Sequence, residues 1–482
     1  MNPDIVCLRD DFRLDDQPAI AASAERPALY VYVHDQSPRN GRPLGGAAKW
    51  RLYQSLKAME RRLAENGARL DVLAGPADAT ILALARAAGA SRVLWTRRYE
   101  AAGMALDAAV KAALRERGVE GESFNGRLIR EPWEFDRGDG HLPRSFSAFF
   151  RRHQSERDMP APKPAPARLS SAPWPEGAPE RAPIEALRLT TTKPDWSGEL
   201  ALGERPGEEG GLAALRCFVE EGLSGYASDR DLASGEATSH LSPHLRFGEV
   251  SAIRAAYVVD GVAARQRLRR DAEKFLSELG WRDFAALLLY AHPDLAAKPL
   301  RPEFERFPFR EDEAAFRAWS RGETGYPIVD AGMRQLWRTG FMHNRVRLVA
   351  ASFLVKHLLI DWRRGEEWFW DTLCDADPAS NPMNWQWVAG SGADAAPFFR
   401  IFNPMLQAEK FDPDGAYIRC WVPELARLEA PHVHRPWNAT EAALSRAGVV
   451  LGKTYPRPMV DHAAARARAL AAFEEIKAEP TA

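Results

Sequence analysis

Over its first 128 residues the chain alternates short β-rich runs with amphipathic helical patterns, and beyond residue 212 the strand signals stop. The runs are IVCL from Ile5, ALYVYV from Ala28, LDVLAG from Leu70 and RVLW from Arg92, with a helical pattern at 50–66 among the separators. Strands spaced by helix-length segments pair in parallel through crossover helices, so an α/β doubly wound sheet is expected over residues 1–128. Such sheets take ligands beyond the carboxyl ends of their strands, and this one carries no G-x-G-x-x-G fingerprint. Ten prolines between residues 160 and 206 work against regular structure, so 129–211 reads as an extended interdomain linker with a short helix at 146–152. Residues 212–482 read as an all-α domain that ends in an amphipathic helix at 461–477.

A length of 482 residues suits two to three domains. Hydrophobic residues at 45% and charged residues at 27% are ordinary for a soluble globular protein. A formal net charge of −1 excludes a uniformly basic nucleic-acid binder, so any DNA contact has to come from a local patch, with the arginines of 265–270 as one candidate and a solvated helix face as the alternative. Cys7, Cys217, Cys374 and Cys420 are scattered without metal-ligand spacing or a C-x-x-C pair. No apolar run approaches the ~20 residues of a membrane span, and charges stand where a signal peptide needs its apolar core. A cytoplasmic location is expected.

Chemistry-bearing residues concentrate in 324–407. Apolar residues recur at helical spacing over 328–336 and 346–359, with Gly340 as a stop between them. Asn344, Arg347 and Leu348 then share a helix face, a combination that suits a flat ligand with polar edges. The loop Asp375-Ala376-Asp377-Pro-Ala-Ser-Asn381 follows, ahead of Trp385 and Trp387. As a calcium loop it fails, because Ser380 stands where an EF-hand needs glycine and Gln386 where it needs glutamate. No metal is expected, and helix capping by the aspartates is the plain alternative.

Two upstream clusters add to this. Thr238-Ser239-His240-Leu241-Ser242 offers three hydroxyls and consecutive backbone amides ahead of a proline-led helix, which suits phosphate oxygens or a simple N-cap. Glu278, Trp281 and Arg282 lie three and four apart, with Phe275 one turn earlier, so a carboxyl, an indole and a guanidinium point the same way. A Glu278–Arg282 surface ion pair is the alternative there. Gly448–Thr454 ends in GKT but has three residues between its glycines where a phosphate loop needs four.

The motifs GYPIVDAGMRQL, HNR at 343–345, FLVKHLLIDW, NWQW and FFRIFNP closely resemble the flavin-binding domain of the photolyase and cryptochrome family. TSHLSPHLRFGE from Thr238, SELGWRDF from Ser277, YPRPMVDH near the C-terminus and the opening CLRDDFRLDDQPAI extend the resemblance. It implies an FAD cofactor, active in its reduced form, contacted by Tyr226, Thr238, Ser239, His240, Leu241, Ser242, Phe275, Glu278, Arg282, Asn344, Arg347, Asp375, Ala376, Asp377 and Asn381. It also implies damaged DNA as substrate, with Glu278 hydrogen-bonding the lesion, Trp281 and Trp387 clamping it, Asn344 beside the flavin ring, and Arg230, Arg345 and Gln407 near the strand. Trp385 and Trp362 align with an electron-transfer chain whose outer position is here Phe309, with Trp368 or Trp370 as a different exit.

GRPLGGAAKW from Gly41 is similar to the bacterial class III branch and to plant cryptochromes, which implies a 5,10-methenyltetrahydrofolate antenna in the first domain. The asparagine and glutamate that hold folate in class I enzymes align with Ala102 and Gly103, so that binding mode is absent. Phe341 replaces the usual tryptophan and Leu348 the methionine of dimer-repairing enzymes, while Asn344 and Leu348 stand where (6-4) photolyases need histidines. The resemblance therefore implies a monomeric, light-driven cyclobutane pyrimidine dimer photolyase, with a cryptochrome photoreceptor as the alternative.

Overall fold

The computed structural model describes residues 2–136, 142–155, 161–190, 195–200, 205–235, 237–394 and 399–478. The chain forms two compact units, Met1–Ser224 with Ser239–Pro293, and Gly225–Thr238 with Asp294–Ala482.

The first unit is built on five parallel strands, β1 (Asp4–Cys7), β2 (Ala28–His34), β3 (Leu70–Ala74), β4 (Arg92–Thr96) and β5 (Glu120–Phe124), in the order β3-β2-β1-β4-β5. In register, Val6 of β1 lies between Tyr30 and Leu94, and Ile5 between Leu29 and Val93. Because successive side chains point to opposite faces, Val6, Tyr30 and Leu94 enter one core. Ile5, Leu29 and Val93 enter the other. The helix Gly46–Glu65 covers the first face with Leu52, Leu56, Met59 and Leu63 at spacings of four and three. Ala77–Ala88 and Ala101–Glu116 cover the second with Ile81, Leu84, Leu106, Val110 and Leu114. The doubly wound sheet is thus as expected. Its fifth strand, EGESF, has no apolar alternation to announce it, because it is an edge strand with a partly exposed face.

The region expected to be an extended interdomain linker packs into the first unit. Leu169, Ile184, Leu187 and Leu189 are buried in the first core, Ser171 bridges to Ala28, and the Ala182 amide donates to the Val72 carbonyl at 2.9 Å. Prolines suppress regular hydrogen bonding but leave the apolar residues between them free to pack, so this segment lines the sheet as part of the first unit. The helix expected at 146–152 extends over Phe146–Ser155. Nor do the units divide at residue 212. Phe247 is fully buried in the same core as Phe12, and Arg13 Nη1 donates to the Gly248 carbonyl at 2.8 Å.

Just beyond the carboxyl ends of β1 and β4 the chain's own groups interlock. Thr96 Oγ1 and Gln17 Nε2 each donate to Asp11 Oδ2 at 2.8 Å, and Arg13 Nη2 donates to the Gly126 carbonyl at 2.8 Å. Burial pushes the Asp11 carboxyl up to about 6.

A second internal network ties Ser239–Pro293 to the sheet layer. Glu249 accepts from Arg51 at 2.5 Å and from His244 at 2.6 Å on one oxygen. Ser55 at 2.6 Å and the Gly207 amide at 2.8 Å bind the other. Burial works to raise the Glu249 carboxyl, but Arg51, His244 and Ser55 overcome it and hold it at about 2.

The second unit is helical among its described residues, apart from a single Leu451–Tyr455 bridge. Pro327–Thr339 ends at Gly340, whose φ of 66° is the left-handed conformation that glycine adopts without a Cβ penalty. Asn344–Ser352 follows and runs on as the π-helical turn Phe353–His357. His343 caps it, with Nδ1 accepting from the Arg345 amide at 3.2 Å. Asp330 accepts from the Thr324 hydroxyl at 2.6 Å and the Tyr455 hydroxyl at 2.6 Å, which binds the GYPIVDAG motif to the YPRPMVDH motif. The aspartate of that motif is therefore structural. No helix among the described residues is long and apolar enough to cross a membrane, and no disulfide joins the four cysteines.

Candidate active site

In the second unit, the residues around Asp375 form a preorganised polar cluster. Arg347 grips Asp375 with two bonds of 3.1 and 2.9 Å and donates Nε to the Met342 carbonyl at 2.7 Å. A bidentate guanidinium–carboxylate pair fixes both groups in one plane. Asp377 accepts from the Ala379 and Ser380 amides at 3.0 and 2.8 Å, so it caps the helix Ser380–Ala389. Asn381 donates Nδ2 to Glu366 Oε1 at 2.8 Å and to the Glu366 carbonyl at 3.1 Å. With its NH₂ engaged, the group Asn381 can turn to a ligand is its carbonyl oxygen. Asn344 is exposed at the first position of its helix, and Ala376 is buried beside Asp375.

The DNA-facing set of this unit is more mixed. Trp387 is half-buried, and its Nε1 donates to the Asp394 carbonyl at 3.2 Å. Gln407 sits half-buried on Pro404–Phe411. Arg345 pairs with Asp231 at 2.7 Å, so a phosphate has to compete with that carboxylate. Arg230 is 8% exposed and lies over the Tyr226 ring at 5.4 Å, and its carbonyl accepts from His343 Nε2 at 3.0 Å. At that distance the guanidinium braces the Tyr226 ring.

The first unit carries the other sets. His240 adopts φ 51° and Leu241 returns to the right-handed region, the pairing of conformations that turns successive amides into an anion-binding nest. Ser239 Oγ accepts from the Leu241 amide at 3.4 Å, and Ser242 opens the five-residue helix Ser242–Arg246. Thr238, the last residue of the second unit's short segment, is half-buried.

On the helix Arg269–Ala291, Glu278 pairs with Lys274 at 2.8 Å. Arg282 donates to the Arg127 carbonyl and, at 3.1 Å, to the Leu245 carbonyl. Phe275 is buried against Phe218 at 4.8 Å, and Trp281 lies flush on Phe146, with ring centroids 3.6 Å apart and planes 7° off parallel.

Trp385 and Trp362 are fully buried. The rings touching Trp385 are Phe369 at 4.9 Å and Trp319 at 6.3 Å. From Trp319 aromatic contacts continue to Phe316 at 5.7 Å, Trp368 at 6.2 Å and Trp337 at 5.9 Å, which is 37% exposed. Trp368 thus lies on an aromatic path to the surface, whereas Trp370 is buried.

Sequence reasoning did not find Glu366, Lys274, Phe146, Asp231 or Trp319. A signal existed for Glu366: it falls in phase with Trp362 and Phe369, and a carboxylate on the core side of an amphipathic helix requires a buried partner. Phe146 and Asp231 had none, since each acts through a residue distant in sequence or across a loop.

An α/β unit of parallel strands and a helical unit carrying this polar cluster is the two-part build of a DNA photolyase. Residues 5–167 match the family model for DNA photolyase, and residues 275–475 match that for the FAD binding domain of DNA photolyase. The chain belongs to the photolyase and cryptochrome family. It is 47% identical to a deoxyribodipyrimidine photo-lyase of Agrobacterium fabrum, over 98% of this chain and 98% of that protein. The crystal structure of a bacterial class III photolyase from Agrobacterium tumefaciens superimposes with a TM-score of 0.94 at 47% identity, covering 99% of this chain and 98% of that one. Cryptochrome-1 of Arabidopsis thaliana is 35% identical over 98% of this chain and 70% of its own length.

Proposed function

We propose that this protein repairs cyclobutane pyrimidine dimers in DNA, using light absorbed by reduced FAD. The observation that carries the reading is the retention of Glu278 and Trp281 on one face of Arg269–Ala291, a polar edge and an aromatic plane of the kind an extruded base requires. When bound, reduced FAD would supply light-driven one-electron chemistry for splitting the bonds that join the two pyrimidines, with no net redox change.

The donor set of this chain fits that cofactor. The His240–Leu241 nest and the hydroxyls of Thr238, Ser239 and Ser242 suit a pyrophosphate. The Arg347–Asp375 pair and the Asn381 carbonyl suit the polar edge of a flavin ring, with Asn344, Ala376 and Asp377 beside them in sequence. Tyr226, Phe275 and Arg282 complete the assignment. Toward the lesion, Trp281 and Trp387 offer stacking faces, and Glu278 offers a carboxyl to the base edge. Arg230, Arg345 and Gln407 serve the strand, with Arg230 also lying over the Tyr226 ring. A 5,10-methenyltetrahydrofolate antenna in the first unit, a monomeric state and a cytoplasmic location complete the reading, the last supported by the absence of disulfides among the four cysteines.

Phe341 and Leu348 favour a second reading, a cryptochrome-type photoreceptor with the same flavin. One experiment separates the two: blue-light repair of a thymine-dimer oligonucleotide by purified, flavin-loaded protein. Repair in light and none in darkness supports the enzyme, and a flavin-loaded protein that leaves the dimer intact under light overturns it.

A further inference from the structure

The stacking of Trp281 on Phe146 has no counterpart in the roles assigned above. We propose that Phe146 is a positioning residue for the lesion-stacking indole: its ring backs one face of Trp281, so that a single, fixed face is offered to a flipped-out pyrimidine. The inference rests on the assignment of Trp281 to the lesion and extends it to a residue that itself touches no substrate.

The ring contact is close and parallel, 3.6 Å between centroids and 7° between planes. Phe284, fully buried, meets Trp281 edge-on at 5.9 Å and 71°. It meets Phe146 edge-on as well, at 6.0 Å and 67°. Trp281 is therefore held on one face by Phe146 and at an edge by Phe284, while remaining half-buried.

Phe146 is not placed to swing aside. It opens the helix Phe146–Ser155 and stacks on Phe150 at 5.2 Å. Phe150 in turn lies so close to the Gly280 backbone that a Cβ there would come within 2.6 Å of its ring. One turn further on, His153 bonds Asp283 at 3.1 Å. Asp283 also accepts from the Ile129 and Arg130 amides at 3.0 and 2.9 Å. The two helices are thus fastened together on both sides of Trp281, by aromatic contact at Gly280 and by a hydrogen-bonded carboxylate at Asp283.

The physical gain is preorganisation. An unbacked indole on a helix surface samples several rotamers and has to be ordered when a base stacks on it. Phe146 imposes that order beforehand, and it leaves the undamaged duplex, which presents no flipped base, without benefit. The aromatic pair and the saved ordering correspond to about three- to tenfold in lesion affinity.

The test compares binding of a thymine-dimer duplex and the same undamaged duplex by wild type, Phe146→Leu, Phe146→Met, Phe146→Tyr, Trp281→Ala and the double variant Trp281→Ala/Phe146→Leu. FAD content and melting temperature serve as controls for folding. Phe146→Leu and Phe146→Met should lose about three- to tenfold for the dimer duplex alone. Phe146→Tyr should restore wild-type affinity, and the double variant should bind like Trp281→Ala. If Trp281→Ala is weakened while Phe146→Leu and Phe146→Met bind as wild type, the backing role is wrong and the assignment of Trp281 stands. If Trp281→Ala itself binds as wild type, that assignment fails and the proposal falls with it. Equal weakening for damaged and undamaged duplex, or further weakening in the double variant, makes Phe146 merely structural and overturns the proposal.

Discussion

Removing one partner of the Arg51–Glu249 pair should destabilise the first unit far more than removing both. Both side chains are fully inaccessible to solvent, and the Glu249 oxygens take four donors. Glu249→Leu takes the paired carboxylate away from the buried Arg51 guanidinium, which costs about 3–5 kcal/mol. For a unit of about 280 residues, an unfolding entropy near 2.1 cal/mol/K per residue gives ~0.6 kcal/mol per degree. A loss of ~4 kcal/mol then lowers the melting temperature by about 7 °C. The double variant Arg51→Met/Glu249→Leu removes the buried guanidinium together with the carboxylate, at the loss of the bonds from Ser55, His244 and Gly207, so it should recover more than half of that shift. The assay is thermal unfolding at pH 7, followed together with FAD release, because Glu249 and His244 anchor the segment that begins at Ser239. At pH 7 the full contribution of Glu249 is present, since its stabilisation is lost only as pH falls below the unfolded carboxyl value and through about 2. A double variant as unstable as Glu249→Leu would refute the reasoning, and so would a single variant that melts within a degree of wild type.

Burial holds His343 at about 4, below its ordinary value of 6.5. The unfolded chain therefore binds that proton first, and stability should fall by up to about 3 kcal/mol as pH drops from 6.5 through 4. Denaturant titrations of His343→Gln, which keeps a donor and an acceptor, should show a smaller loss across that window; an identical pH profile would remove His343 from the account. Gly365→Ala would press a methyl group into the Trp385 ring and within 2.6 Å of Leu354, so a net loss of about 1–2 kcal/mol is expected once overpacking is set against helix propensity. A stabilised Gly365→Ala protein would show that the indole yields freely. Trp319→Phe and Trp337→Phe should each slow flavin photoreduction under blue light with a thiol donor, and Phe316→Trp should speed it; wild-type rates in Trp319→Phe would exclude that aromatic route.

The strands of the sheet were legible because both faces are buried and the apolar runs are continuous, except in β5, where an edge position relaxes the pattern. The packing of 129–211 was not, because proline content reports on backbone hydrogen bonding and says nothing about whether Leu169, Ile184 and Leu187 find a surface to bury against. In the site, residues presented by one helix were readable from spacing, as with Glu278 and Trp281. Their supports were not. Lys274 is one turn from Glu278 and could pair with it or extend into water, and only the folded helix shows that it pairs. Arg230 was assigned by resemblance alone, and only the folded chain shows its guanidinium over the Tyr226 ring.

The chain leaves the first unit at Ser224, returns at Ser239 and leaves again at Pro293. The excursion has a consequence for the order of synthesis. The sheet and its flanking helices emerge first, yet the residues that complete their interior come much later: Phe247 fills the core beside Phe12, and Glu249 neutralises Arg51. A nascent chain that stops short of residue 249 holds an uncovered apolar slot and lacks the carboxylate that pairs with Arg51. Truncation after Ser224 reproduces that unfinished state permanently, whereas a cut after Pro293 leaves every element of the first unit's core in one piece.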